Sequence, residues 1–282
     1  MKKILILGSS GTLGGYLSKS FAKKNIIIHN GLKKKNLNLL NLKYLESLIK
    51  KKPDVIINCI ALTDIEYCES HKKKAFNVNV KISRNIFQIK KKYNLNFKYI
   101  FISTDQLYDN NFQSSEKSKV KINNFYTKTK FAAEKVVKKN HGIILRTNFF
   151  GKTHNKKTFT DWILEKFTTN KKSFYLINDV YFSPVRIYTL GRAIGRLINQ
   201  FPNKAEIFNI GSSTSLNKEK FAIKFAKKMK IYKKNYISIK YKELLNVKRS
   251  NNMSMCSKKF QKYFNFRINS LEKEIINEAK NY

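Results

Sequence analysis

The chain has 282 residues, 42% of them hydrophobic, and carries a formal net charge of +40 from 58 Lys and Arg against 18 Asp and Glu. That apolar content is enough to bury a core, so the charge does not signal disorder, and no apolar run reaches the ~18 residues that a membrane-spanning helix needs. The basic excess is 51 Lys against 7 Arg, accompanied by 32 Asn and 32 Ile, all residues of AT-rich codons, and its lysines are dispersed, which argues against a nucleic-acid partner.

Residues 3–7 read as a strand, 13–24 as a helix and 26–29 as a second strand. A helix over 42–51 leads to a strand at 55–59, announced by Pro53-Asp54. A long helix over about 74–94, a strand at 99–103, a helix at about 126–139 and a strand at 143–146 follow. Strands alternating with helices imply βαβ units and a parallel sheet. The unbroken apolar runs 4–7 and 55–57 suit strands buried on both faces. The expectation is an α/β fold: a Rossmann-like doubly wound parallel sheet, with a dinucleotide-binding domain over 1–150. Beyond Gly151 the pattern loosens into a helix at 159–168, strands at 174–177 and 206–210 around a helix at 188–199, a helix after Ser215, a strand allowed at 236–240 and a last helix at 271–279. No repeat or linker separates the halves. Residues 151–282 are therefore expected to form a smaller, interwoven C-terminal substrate-binding lobe, with about 188–210 returning to the sheet.

The run Gly8-Ser9-Ser10-Gly11-Thr12-Leu13-Gly14 leaves the first strand and opens the first helix. Glycines there permit a tight turn and a close approach of pyrophosphate to the backbone, while the helix offers unpaired N–H groups and its positive dipole end. An acidic residue after the second strand would bind the adenosine 2′-hydroxyl of NAD, yet no Asp or Glu precedes Glu46. His29, Asn30 and the lysines from Lys33 onward stand there instead, so NADPH is favoured, with NAD allowed.

Two Tyr residues are followed four positions later by Lys: Tyr126/Lys130 and Tyr236/Lys240. The first pair opens a predicted helix, where positions i and i+4 share a face, and follows Thr104 at the end of a buried strand. The second lies in a strand-like stretch and is expected to be structural. Reducing a carbonyl needs a hydride on carbon and a proton on oxygen. A tyrosine of pKa ~10 delivers that proton near neutrality when a neighbouring Lys⁺ stabilises its phenolate. The same lysine would hold the nicotinamide ribose, and Thr104 would hydrogen-bond the substrate oxygen.

With these motifs the chain resembles the extended short-chain dehydrogenase/reductase superfamily, and most of all the dTDP-4-dehydrorhamnose reductase family. The supporting segments run almost end to end: 8–14, 53–63 with Glu69 beyond, Val78-Asn79, 103–109, Leu145-Arg146-Thr147 with Phe150-Gly151, and Arg249, Asn252 and Lys258. The resemblance implies Thr104, Tyr126 and Lys130 as the catalytic triad. It implies a dinucleotide site that adds Asn38, Leu39, Cys59, Ile60, Ala61, Thr63, Asn79 and Ser103 to the phosphate loop, with Asn58 and Ala61 on the nicotinamide side. On the substrate side it implies Thr63, Thr104, Asp105, Gln106, Tyr126, Asn148, Arg186 and Arg249. Departures fall in the same region: 179–185 reads Asp-Val-Tyr-Phe-Ser-Pro-Val, and Ser250 and Cys256 replace a proline and an aspartate. Related 4,6-dehydratases carry a Glu where Gln106 stands, and an amide exchanges no proton at neutral pH, so dehydration is disfavoured.

Cys59, Cys68 and Cys256 form no disulfide framework or zinc pattern, and His29, His71, His141 and His154 show no metal-ligand spacing, so no metal is expected. The apolar start imitates a signal peptide but ends too early for a secretory core, which points to the cytoplasm. The function expected is NADPH-dependent reduction of a 4-keto nucleotide-sugar by a chain with no membrane or nucleic-acid partner, a homodimer being allowed. A nucleotide-sugar epimerase or dehydratase with tightly held NAD and a non-catalytic dinucleotide-binding subunit are the alternatives.

Overall fold

The computed structural model describes residues 1–29, 39–110, 112–153, 157–169, 173–244 and 246–282. Its elements divide between two compact units: Met1–Thr104, Asn124–Leu145 and Ile194–Ile207 in the first, Asp105–Asn123, Arg146–Ala193 and Phe208–Tyr282 in the second. Compared with a division at 150 and a return of about 188–210, residues 105–123 and 146–150 fall in the second unit, and the returning segment is 194–207.

The first unit opens with β1 (Lys3–Leu7), α1 (Thr12–Ala22), β2 (Ile26–His29), α2 (Leu42–Ile49) and β3 (Val55–Asn58). Next come α3 (Ile65–Ser70), α4 (Lys72–Phe76), a π-helical turn at Asn77–Lys81, α5 (Ile82–Lys92) and β4 (Lys98–Ile102), while the 3₁₀ turn at Asp105–Leu107 belongs to the second unit. The first unit is completed by α6 (Phe125–Lys139), the first residues of β5 (Ile143–Thr147) and the segment 194–207. The long helix expected near 74–94 runs without a gap over 72–92, widened into a π-helical turn at 77–81. Ile4 to Leu7 and Val55 to Ile57 have no exposed surface, which is why these runs carry no polar alternation. Strand order is β10-β5-β4-β3-β1-β2, with β10 at Glu206–Ile210. The pairings of β1 with β2 and β3, of β3 with β4 and of β4 with β5 are all parallel. The chain leaves β1 in one direction to β2 and later in the other to β3, so β1 stands at the topological switch point, and parallel folds of this kind bind ligands outside the strand ends there. Register pairs Leu7 with Asn58 and Asn58 with Phe101, bringing the loops after β1, β3 and β4 to the same end of the sheet.

The later elements are β6 (Phe149–Phe150), α7 (Phe159–Thr169), β7 (Phe174–Ile177), β8 (Tyr181–Phe182), β9 (Val185–Arg186), α8 (Ile187–Asn199), the returning β10, β11 (Leu216–Asn217), α9 (Lys218–Lys228), β12 (Tyr236–Ile239), α10 (Tyr241–Leu244), α11 (Lys258–Phe264) and α12 (Leu271–Ala279). The second unit packs its own core from Phe150, Phe167, Phe174, Phe221, Phe225 and Ile275. Its strand pairs are short, β6 with β9, β8 with β11 and β7 with β12. Two-residue strands carry no readable periodicity, and none of them was expected. Among the described residues no helix is long and apolar enough to cross a membrane.

Candidate active site

The turn after β1 is built by its glycines. Gly8 has φ +84°, a left-handed conformation that side-chain-bearing residues rarely adopt, and its carbonyl accepts a hydrogen bond from Gly11 N at 2.9 Å. A Cβ on Gly14 would lie 2.1 Å from Gly8 O, so the first turn of α1 packs backbone against backbone on this loop. Gly11 caps α1 without a side-chain hydrogen bond, and no acidic residue occupies the first turn. The N–H groups of Thr12, Leu13 and Gly14 at this end have no intrahelical acceptor, and the helix dipole adds positive potential, so the loop fits a dinucleotide pyrophosphate. Ser10 is exposed beside it, and Leu13 is buried beneath. His29 ends β2 in an exposed position. Leu39 is 7% exposed and packs its side chain into the hydrophobic core. Asn30, Lys33 and Asn38 lie outside the described residues.

The loop after β3 is braced from beneath. Asn58 turns away from the loop's open side: its amide donates to Tyr99 Oη at 2.9 Å and its carbonyl accepts from Ile60 N. Asn79 is likewise a brace and not a surface that greets a ligand. It is 1% exposed, accepts from Leu62 N at 2.8 Å and donates to Leu62 O and to Thr129 Oγ1. The π-helical turn places it there, linking the β3 loop to the residue preceding Lys130. Cys59, Ile60 and Ala61 are half-buried and Thr63 is exposed. Burial pushes the Cys59 thiol up to about 12 against the opposing charge of Lys130, so it is a neutral, unreactive group.

Helix α6 starts from a firm N-terminus. Asn124 and Thr127 form a reciprocal capping box, and the Glu69 carboxylate accepts from Phe125 N at 2.8 Å. Tyr126 sits in the first turn and Lys130 one turn on, both buried and on one face. Lys130 is 1% exposed; its Nζ donates to Ile102 O at 2.7 Å and lies 4.2 Å from the centre of the Phe101 ring. The ammonium is thereby tied to the end of β4, two residues before Thr104, which is also buried. Burial lowers the Lys130 pKa to about 8, with Glu134 acting in the opposite direction. Ser103 Oγ donates to Glu134 Oε1 at 2.6 Å, so its hydroxyl serves that carboxylate. Sequence reasoning missed Glu134, although the signal was present: it continues the i+4 series of Tyr126 and Lys130.

In the second unit Asp105 and Asn148 hydrogen-bond each other at 2.7 Å, and the Gln106 carbonyl accepts from Ser250 Oγ. Arg249 neighbours Lys218, a residue the sequence reading passed over because lysines are so abundant. Burial lowers the pKa of Lys218, as does Arg249, while Asp105 and Asp179 act to raise it. Two cations and two carboxylates thus share one region, with their formal charges in balance. Arg186 is held in a structural ion pair. Its Nε pairs with Glu278 at 2.9 Å, its side chain is 12% exposed and its backbone N–H donates to Glu274, so it locks β9 to α12. The pair Tyr236/Lys240 stays apart from this chemistry: Tyr236 lies in β12, against the rings of Phe167 and Phe174.

The phosphate loop at the switch point, together with a Tyr-Lys pair on the helix after β4, defines the extended short-chain dehydrogenase/reductase architecture. Within it the chain belongs to the RmlD substrate binding domain family, whose model matches residues 1–282. It is similar to the spore coat polysaccharide biosynthesis protein SpsK of Bacillus subtilis (strain 168), 24% identical over 217 residues that span 75% of each chain. Among solved structures it is similar to the dTDP-4-dehydrorhamnose reductase of Bacillus anthracis in complex with NADP, with a TM-score of 0.89, 20% identity and coverage of 100% of this chain and 99% of that one. A hypothetical dTDP-4-dehydrorhamnose reductase from Sulfolobus tokodaii is 26% identical, with a TM-score of 0.81 and coverage of 96% and 98%.

Proposed function

We propose that the protein reduces the 4-keto group of a nucleotide-sugar to an alcohol, with NADPH as reductant. The observation that carries this reading is the buried Lys130, held by the Ile102 carbonyl at the end of β4 and on the Tyr126 face of α6. Burying this amine at 1% exposure carries a desolvation penalty on its charged form, which a role for that charge next to Tyr126 accounts for. NADPH, when bound, supplies the hydride to the carbonyl carbon. Tyr126 gives its hydroxyl proton to the carbonyl oxygen, and Lys130 stabilises the phenolate left behind. Thr104 donates a hydrogen bond to the same oxygen and fixes the carbonyl. Residues 8–14 would hold the pyrophosphate. The lack of any acidic residue before Glu46 supports NADPH, as does the NADP bound by the Bacillus anthracis relative. Gln106, unable to exchange a proton, supports reduction over dehydration.

The test is a panel of 4-keto nucleotide-sugars with NADPH absorbance as readout. Net, substrate-driven consumption of NADPH is expected, and Tyr126→Phe should lose at least ~100-fold in turnover while binding NADPH within a few-fold of the parent. No consumption with any keto-sugar, or full turnover in Tyr126→Phe, overturns the reading.

A further inference from the structure

We propose that Glu134, clamped by Ser103, is a positioning residue that keeps the buried Lys130 in its charged form and thereby sets the alkaline limit of the enzyme. The inference rests on the reading of Lys130 given above, but its first test does not. Lys130 is 1% exposed and Glu134 3% exposed, on successive turns of α6. The Ser103 hydroxyl, 2.6 Å from Glu134 Oε1, holds the carboxylate group in place.

The other groups facing Lys130 cannot do this work. β4 offers only the Phe101 ring and the Ile102 carbonyl, both neutral. The segment after β3 brings Cys59, a thiol that burial keeps protonated. Asn79 from the π-helical turn is spent on Leu62 and Thr129. Tyr126, on α6 itself, is neutral until it gives up its proton. Among the described residues Glu134 is thus the formal negative charge opposing the desolvation of Lys130, and it raises the lysine's pKa more than Cys59 does. At about 8, that pKa leaves the ammonium mostly protonated at neutrality but close to losing its charge.

The experiment uses the full chain without dinucleotide, labelled with [ε-¹³C]lysine, the Lys130 resonance being identified by its loss in Lys130→Met. In Glu134→Gln, which keeps the Ser103 hydrogen bond, Lys130 should titrate about one to two units lower. A drop of about 1.5 units takes the charged fraction at pH 7.5 from roughly three quarters to roughly a tenth. The alkaline limb of kcat/KM should move down by the same amount, with activity largely recovered near pH 6, and Glu134→Asp should restore part of the shift. A purely structural role would change thermal stability and leave both titrations where they were. Folded Glu134→Gln with an unmoved Lys130 titration overturns the proposal. If that variant does not fold, Ser103→Ala must lower the Lys130 titration by a smaller, measurable step, and an unmoved value again overturns it. A shifted Lys130 in a protein that turns over no keto-sugar upholds the Glu134 role and sinks the functional reading instead.

Discussion

The burial of Lys130 has a consequence for stability that can be worked out and measured. In the folded chain this lysine titrates near 8, whereas its ordinary value is 10.5. Between those two pH values the unfolded chain keeps the proton that the folded chain has lost. The unfolded state therefore binds more protons, and stability rises with pH through that window. At ~1.36 kcal/mol per unit, the difference amounts to about 2.5 kcal/mol between pH 7 and pH 10. The reference is Lys130→Met combined with Glu134→Gln, which removes both charges, fills similar volume and leaves no unpaired carboxylate in the interior. Urea unfolding followed by circular dichroism at several pH values gives both stability curves. The other 50 lysines are common to the two proteins, so they cancel in the comparison. The parent should be the less stable of the two near pH 7 and gain on the double variant as pH rises. Curves that run parallel from pH 7 to pH 10 would refute the claim that Lys130 is buried as a strained cation.

Two further substitutions probe other parts of the structure. Gly14→Ala places a methyl 2.1 Å from Gly8 O, where only backbone movement gives relief, so NADPH affinity measured by fluorescence titration should fall at least ~10-fold and stability by about 1–3 kcal/mol. Unchanged affinity would show that α1 and the loop do not hold the dinucleotide. Arg186→Ala leaves Glu278 buried and uncompensated, at 2% side-chain exposure, and should cost about 3–5 kcal/mol in thermal or chemical denaturation. The folded fraction should bind substrate with unchanged KM, and a selective rise in KM would return Arg186 to the substrate site.

The sequence by itself determined the first half of the fold. Short apolar runs such as 4–7 and 55–57 can be buried on both faces only in a parallel sheet, and a glycine triplet between strand and helix has a strong chemical reason to be there. The return of a strand near 206–210 was equally legible, because its period is local. What lay beyond it was every property made by residues distant in the chain. The π-helical turn at 77–81 holds Asn79, which reaches both Leu62 and Thr129, contacts no local pattern encodes. The ion pair of Arg186 depends on α12, nearly a hundred residues later, which supplies Glu278. The burial of Leu39 is decided by the elements that close over it. Tyr126 and Lys130 shared a helix face by spacing alone. The burial of that lysine, its tie to Ile102 and its dependence on Glu134 exist only once β4 and α6 pack together, because desolvation belongs to the folded interior and not to the chain.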